Sequence, residues 1–186
     1  MMSGNDPDRL NQPTNQGNSM RTSLSTSLLI TLAMNSAFVV AAPDQVAQRQ
    51  DVSLAMANDL LTAALTACHA DGRTAVAAVV DRGGNLVAVQ RDDDVGPHNT
   101  LAAQRKAYTA LSTKTSTRLL AERARANPDA ENLNTLDELL LLGGGVPLKF
   151  DGQVIGAIGV AGAGGAANDE GCAEVAINKV LPAVKN

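Results

Sequence analysis

One stretch of this chain gathers side chains fit for binding or proton transfer. It runs Gly96-Pro97-His98-Asn99-Thr100 and continues into Arg105-Lys106-Ala107-Tyr108-Thr109. Pro97 fixes the loop, and His98 falls at the start of a helix. A neutral imidazole there can bind a metal or act as a base, because its pKa lies near neutrality. Arg105 and Lys106 follow two turns along, where they can pair with ligand carboxylates, Arg through a bidentate fork. The plain alternative is a surface histidine with two ordinary surface cations.

Other chemistry is thinner. No Ser-His-Asp or Cys-His constellation is legible. Asp92-Asp93-Asp94 has the composition of a metal site, but consecutive carboxylates cannot all face one ion, and the later Glu of a calcium hand is missing. It reads as a solvated acidic turn. Gly162-x-Gly164-Gly165 before a helix can cradle an anion with backbone N–H groups, yet it does not match the dinucleotide fingerprint. His69 reads as a solvated histidine at a helix C-terminus. Cys68 and Cys172 belong to no Cys-x-x-Cys pair, and a structural zinc site needs about four ligands. If the first and last helices pack antiparallel, the two cysteines meet in a disulfide. Otherwise they are two buried thiols.

The elements that must hold these residues follow from spacing and turn chemistry. Apolar residues at helical intervals predict a helix between Asp44 and Ala70, ended by Asp71-Gly72. Thr74–Val80, the turn Asp81–Asn85 and Leu86–Arg91 form a hairpin. His98–Ser112 is helical, with Leu101, Ala102, Arg105, Tyr108 and Leu111 on one face. Thr115–Ala126 is a short helix stopped at Asn127-Pro128. Leu133, Leu136 and Leu139–Leu142 suggest a helical turn running into Gly143-Gly144-Gly145. Val146–Phe150 and Gln153–Val160 flank the turn Asp151-Gly152 as a second hairpin, and Asn168–Val184 closes the chain as a helix. Strands in consecutive pairs predict an antiparallel sheet flanked by helices, an α+β fold.

Composition limits the core and the partners. Of 186 residues 45% are hydrophobic, but there is no Trp, one Tyr and two Phe, so thin layers of small side chains must do the packing. The net charge of −4 lacks the basic stripe of a nucleic-acid binder. No run reaches the roughly 20 apolar residues of a membrane span. Residues 1–19 are rich in Asn, Gln, Asp and Pro and read as a disordered extension. Residues 20–41 read as a secretion signal: Arg21, then an apolar run from Leu28, then small residues, with Val39 and Ala41 placed for cleavage before Ala42. Residues 44–186 are expected to form one domain, periplasmic or secreted.

Several blocks in order resemble the GlcG-like heme-binding family: Val79 to Leu86, Asp94-x-Gly96-Pro97, Arg105 to Ala110, Gly143 to Leu148, Gly152 to Val160, and Asp169-Glu170. The likeness runs from about residue 46 to 185. It implies a profilin-like fold that assembles into homo-oligomers, with relatives fused to corrinoid adenosyltransferases. It also implies a heme ligand near Gly96 to Thr109. In that reading His98 or Thr109 ligates the iron, Arg105 and Lys106 face the propionates, and Gly143, Gly144 and Gly145 allow close backbone approach.

The resulting expectation is an exported heme-binding protein that sequesters or degrades heme. An enzyme acting on a small carboxylic acid, with Arg105 as anchor and His98 as general base, is the alternative. A ligand-sensing module is a third.

Overall fold

A computed structural model of the chain describes residues 46–181. The expected extension and secretion signal lie outside the described residues, as does the end of the helix expected to reach Val184; within them the closing helix ends at Val180, with Leu181 extended. The order is α1 (Leu54–Ala70), β1 (Val76–Asp81), β2 (Leu86–Arg91), α2 (His98–Thr113), α3 (Thr117–Ala126), α4 (Pro128–Glu131), a 3-10 turn (Asn132–Thr135), β3 (Gly145–Phe150), β4 (Gln153–Ala161) and α5 (Ala166–Val180). The four strands form one antiparallel sheet in the order β2-β1-β4-β3. The α+β fold built from two hairpins is as the sequence predicts.

The two central strands are buried on both faces, and their alternation sorts the core into layers. Ala77, Val79, Ile158 and Val160 pack with Leu60, Leu61, Cys68 and Ala173 of α1 and α5. Their neighbours Val76, Ala78, Val80 and Ala157 pack under Ala103, Ala107 and Ala110 of α2. The second layer is thin because its residues are small. A β-carbon at Gly159 would stand 2.1 Å from the carbonyl oxygen of Ala103, so only glycine lets α2 lie this close to β4.

Local signals set the helix ends. α1 begins later than spacing suggests: the Ser53 hydroxyl accepts the Met56 N–H at 3.2 Å and caps it. Upstream, Val52 donates its N–H to Ile155 at 3.2 Å and buries its side chain in the core as non-helical backbone. The leucine-rich stretch is not one helical turn. It forms α4 and the 3-10 turn, then an irregular run in which Leu139 is buried and Leu136 and Leu142 are exposed.

Cys68 and Cys172 are joined in a disulfide between α1 and α5, with 5.4 Å between their Cα atoms. Of the two readings the sequence leaves open, the structure has the bridged one. Among the described residues no helix is long and apolar enough to cross a membrane.

Candidate functional site

Helix α2 has two faces, and the sequence pattern picks out one of them without saying which way it points. Leu101, Arg105, Tyr108 and Leu111 share a stripe, as expected, but that stripe faces outward. Leu101 is 59% exposed. The buried face is Ala103, Lys106, Ala107, Thr109 and Ala110. The sheet beneath is lined mainly with Ala, Gly and Val, so the alanines point inward, Leu101 stays exposed, and Tyr108 and Leu111 are half-buried at the edge of that layer.

The outward stripe forms one wall of a hollow of about 440 Å³, lined by Gly84, Leu101, Gln104, Arg105, Tyr108, Asp137 and Glu138. A second hollow of about 270 Å³ adjoins it, with Arg82, Lys114, Leu111 and Val154 in its walls. Gly84 and Tyr108 belong to both. The larger hollow lies within the range of small-molecule sites.

Three devices shape these walls. Asp81 ends β1 and gathers the turn that carries Gly84: its carboxylate accepts the N–H groups of Gly83 and Asn85, each at 2.8 Å, and the Asn85 amide at 3.0 Å. Burial pushes the Asp81 carboxyl upward, but the hydrogen bonds from Asn85, Gly83 and Gly84 outweigh it and hold it below 3.8. Gly84 has φ +85°, and its missing β-carbon makes room for the Tyr108 ring. Arg105 donates from Nη2 to the Leu139 carbonyl at 2.6 Å, which ties down the run that brings Asp137 and Glu138 to the hollow. The buried Nε–H of Arg105 has no hydrogen-bond partner among the described residues.

The other expected site residues fall elsewhere. His98 does open α2, but it is exposed and lines neither hollow. Lys106 is only 2% exposed. Its ammonium donates to Asp169 at 2.7 Å and to the Val160 carbonyl at 3.0 Å, an ion pair that joins α2 to α5 across the molecule. Thr109 is fully buried, donating to the Arg105 carbonyl at 2.7 Å and accepting the Leu140 N–H at 2.8 Å. The sequence sets Arg105 and Lys106 side by side, but helical geometry sends one to the hollow and the other into the core.

Gly143, Gly144 and Gly145 admit protein. A β-carbon at Gly145 would stand 2.1 Å from the Lys106 carbonyl oxygen, and one at Gly144 would stand 2.4 Å from that of Val160. Asp169 also takes the Ala163 N–H at 2.8 Å, so the glycine loop before α5 is capped by the chain's own carboxylate. His69 is paired, with Nε2 2.9 Å from Asp92, while Asp93 and Asp94 stay exposed. No cluster of three metal-ligating side chains occurs among the described residues.

The chain matches the family described as haem degrading protein HbpS-like over residues 52–178. It belongs to that family. Protein GlcG of Escherichia coli strain K12 is 36% identical over 109 residues, 59% of this chain and 80% of GlcG. Among solved structures, a double mutant of Streptomyces reticuli HbpS superposes with TM-score 0.71 at 36% identity, covering 78% of this chain and 97% of that one. A heme complex of PduOC superposes with TM-score 0.64 at 27% identity, covering 70% of this chain and 96% of that one. The resemblance seen in the sequence is confirmed. In this HbpS-like chain the quoted blocks fall at the β1–β2 turn, along α2, at the entry to β3, on β4 and at the start of α5. Most of them hold the scaffold, while Gly84, Arg105 and Tyr108 reach the hollow.

Proposed function

We propose that this chain is an exported heme-binding protein whose ligand lies along the outward stripe of α2. The observation that carries this is the hollow beside Leu101 and Tyr108, with Arg105 in its wall. A porphyrin needs apolar and aromatic surface for its faces and cations for its propionates. Leu101, Tyr108 and Leu111 supply the first; Arg105, Arg82 and Lys114 supply the second. Bound there, heme would bring a redox-active iron. The family's description extends to heme breakdown; the hollow itself supports binding.

Export is supported by the buried Cys68–Cys172 disulfide, which suits an oxidising compartment. It also accords with the signal read at residues 20–41. Assembly into a homo-oligomer is part of the same reading. The outer edges of β2 and β3 are unpaired within the described residues, and Leu86 and Val89 are exposed on β2.

A second reading is favoured by Asp137 and Glu138, which line the same hollow as Arg105. Arg105 would anchor a small carboxylic acid, and one of the two carboxylates would accept a proton. Parallel titrations with hemin and with small carboxylic acids separate the two. The first reading expects saturable hemin binding with a shifted Soret band. It also expects weaker binding without band movement in Arg105→Ala, which removes a contact worth about 1.5–3 kcal/mol. Turnover of a small acid with no hemin saturation would establish the second reading instead.

A further inference from the structure

We propose that a further hollow, between α3 and β3, binds a phosphate monoester with a small apolar body. The hollow measures about 420 Å³, within the range of small-molecule sites. Three cations stand in its walls, Lys114, Arg123 and Lys149, beside the hydroxyl residues Thr115 and Ser116, and no carboxylate does. One sign of charge is thus concentrated here in a chain whose net charge is −4. Among the described residues none of the three cations enters an ion pair. Lys114 also borders the smaller hollow by Tyr108, but Arg123 and Lys149 line neither hollow of the heme reading.

Local structure sets these walls. Ser116, Leu119 and Arg123 recur at helical spacing and share one stripe of α3. Thr117 ties that helix to β3: its buried hydroxyl donates to the Leu142 carbonyl and accepts the Gly145 N–H, each at 2.8 Å. Along β3 the pairing with β4 shifts register between Leu148 and Lys149, an irregularity of the kind that re-aims a side chain. Lys114 ends α2 with φ +52°, a left-handed position that glycine usually takes, yet a lysine stands there. Ser116 opens α3 without capping it, so its hydroxyl takes no N–H of the first turn.

The charge pattern selects the ligand. A phosphate monoester carries nearly two negative charges at neutral pH and presents three acceptor oxygens. Three separate cations suit those oxygens, the lysines as point charges and the arginine as a fork. A carboxylate has one charge and two oxygens, which a single arginine satisfies. Leu119, Val146 and Pro147 line the same hollow and give an apolar body a surface to lie on.

The test is calorimetric titration of the full chain with phenyl phosphate, inorganic phosphate and benzoate, beside hemin titration of the same proteins. Phenyl phosphate should saturate the wild type, inorganic phosphate should bind more weakly, and benzoate should not saturate. The double variant Arg123→Ala with Lys149→Ala should weaken phenyl phosphate by about tenfold or more. Its hemin titration should match that of the wild type. Both residues are exposed, so its circular dichroism should match as well. The proposal is overturned by no saturation with phenyl phosphate, by equal affinity in the double variant, or by benzoate or inorganic phosphate binding as tightly. It stands whether or not the wild type binds hemin, so its failure and that of the heme reading are separate results.

Discussion

The ring of Tyr108 rests on the backbone of Gly84, so that a turn between two strands becomes the floor of a helix-borne site. Gly84 meets two demands at once, a φ of +85° and the absence of a β-carbon within reach of the ring. Gly84→Ala is therefore expected to cost about 1–3 kcal/mol in backbone strain, and more if the ring is displaced. Urea denaturation gives the first effect. Hemin affinity should fall with it, and a variant as stable and as tight as wild type would show that the contact is slack.

The buried pair Lys106–Asp169 joins helices on opposite faces of the sheet. Removing only the ammonium leaves a carboxylate buried without its counter-charge. Lys106→Met is expected to destabilise by about 3–5 kcal/mol. The double variant Lys106→Met with Asp169→Asn keeps an oxygen for the Ala163 N–H and should recover most of that loss. Equal stability of the single and double variants in denaturant would contradict the pairing.

How far the sequence could be read follows from what each residue's neighbours are. The hairpins were legible because Gly and Asn punctuate two β-branched runs, and α2 was placed from His98 because Pro97 precedes it. Which face of α2 is buried was not legible. Alanine carries little hydropathy signal, and the matching small residues lie on strands 50 residues or more away, such as Ala157 and Gly159 on β4. Sequence separation also hid Asp169 from Lys106, 63 residues apart, and Asp137 and Glu138 from Arg105, 32 and 33 residues apart. Tyr108 was visible as an isolated aromatic on a stripe with Arg105, but nothing local said that the stripe faced outward.

The disulfide closes a separation of 104 residues. In the chain-entropy picture such a bridge is worth about 4–5 kcal/mol. Thiol counting on unfolded, unreduced protein should find neither Cys68 nor Cys172 free, and Cys68→Ala with Cys172→Ala should lower the melting temperature. Two titratable thiols would contradict the bridge.

Acid should loosen the floor of the hollow through Asp81. Its folded carboxyl is held below the usual 3.8, so its contribution is complete above that value and is lost as pH falls through the lower, folded value. Asp81→Asn should melt below wild type at neutral pH, and the gap should narrow as pH falls below 3.8 and through the lower, folded value. A gap of constant size across that range would assign the loss to something other than the carboxylate.

The central claim is that heme lies on the outward stripe of α2, and one substitution addresses it most directly. Leu101 is 59% exposed, so Leu101→Glu should fold normally while placing a carboxylate in the apolar wall. Hemin titration followed at the Soret band is expected to saturate in the wild type and to weaken by about tenfold or more in Leu101→Glu, a loss of about 1.4 kcal/mol or more. Saturation at the same hemin concentration in both proteins would place any heme site elsewhere.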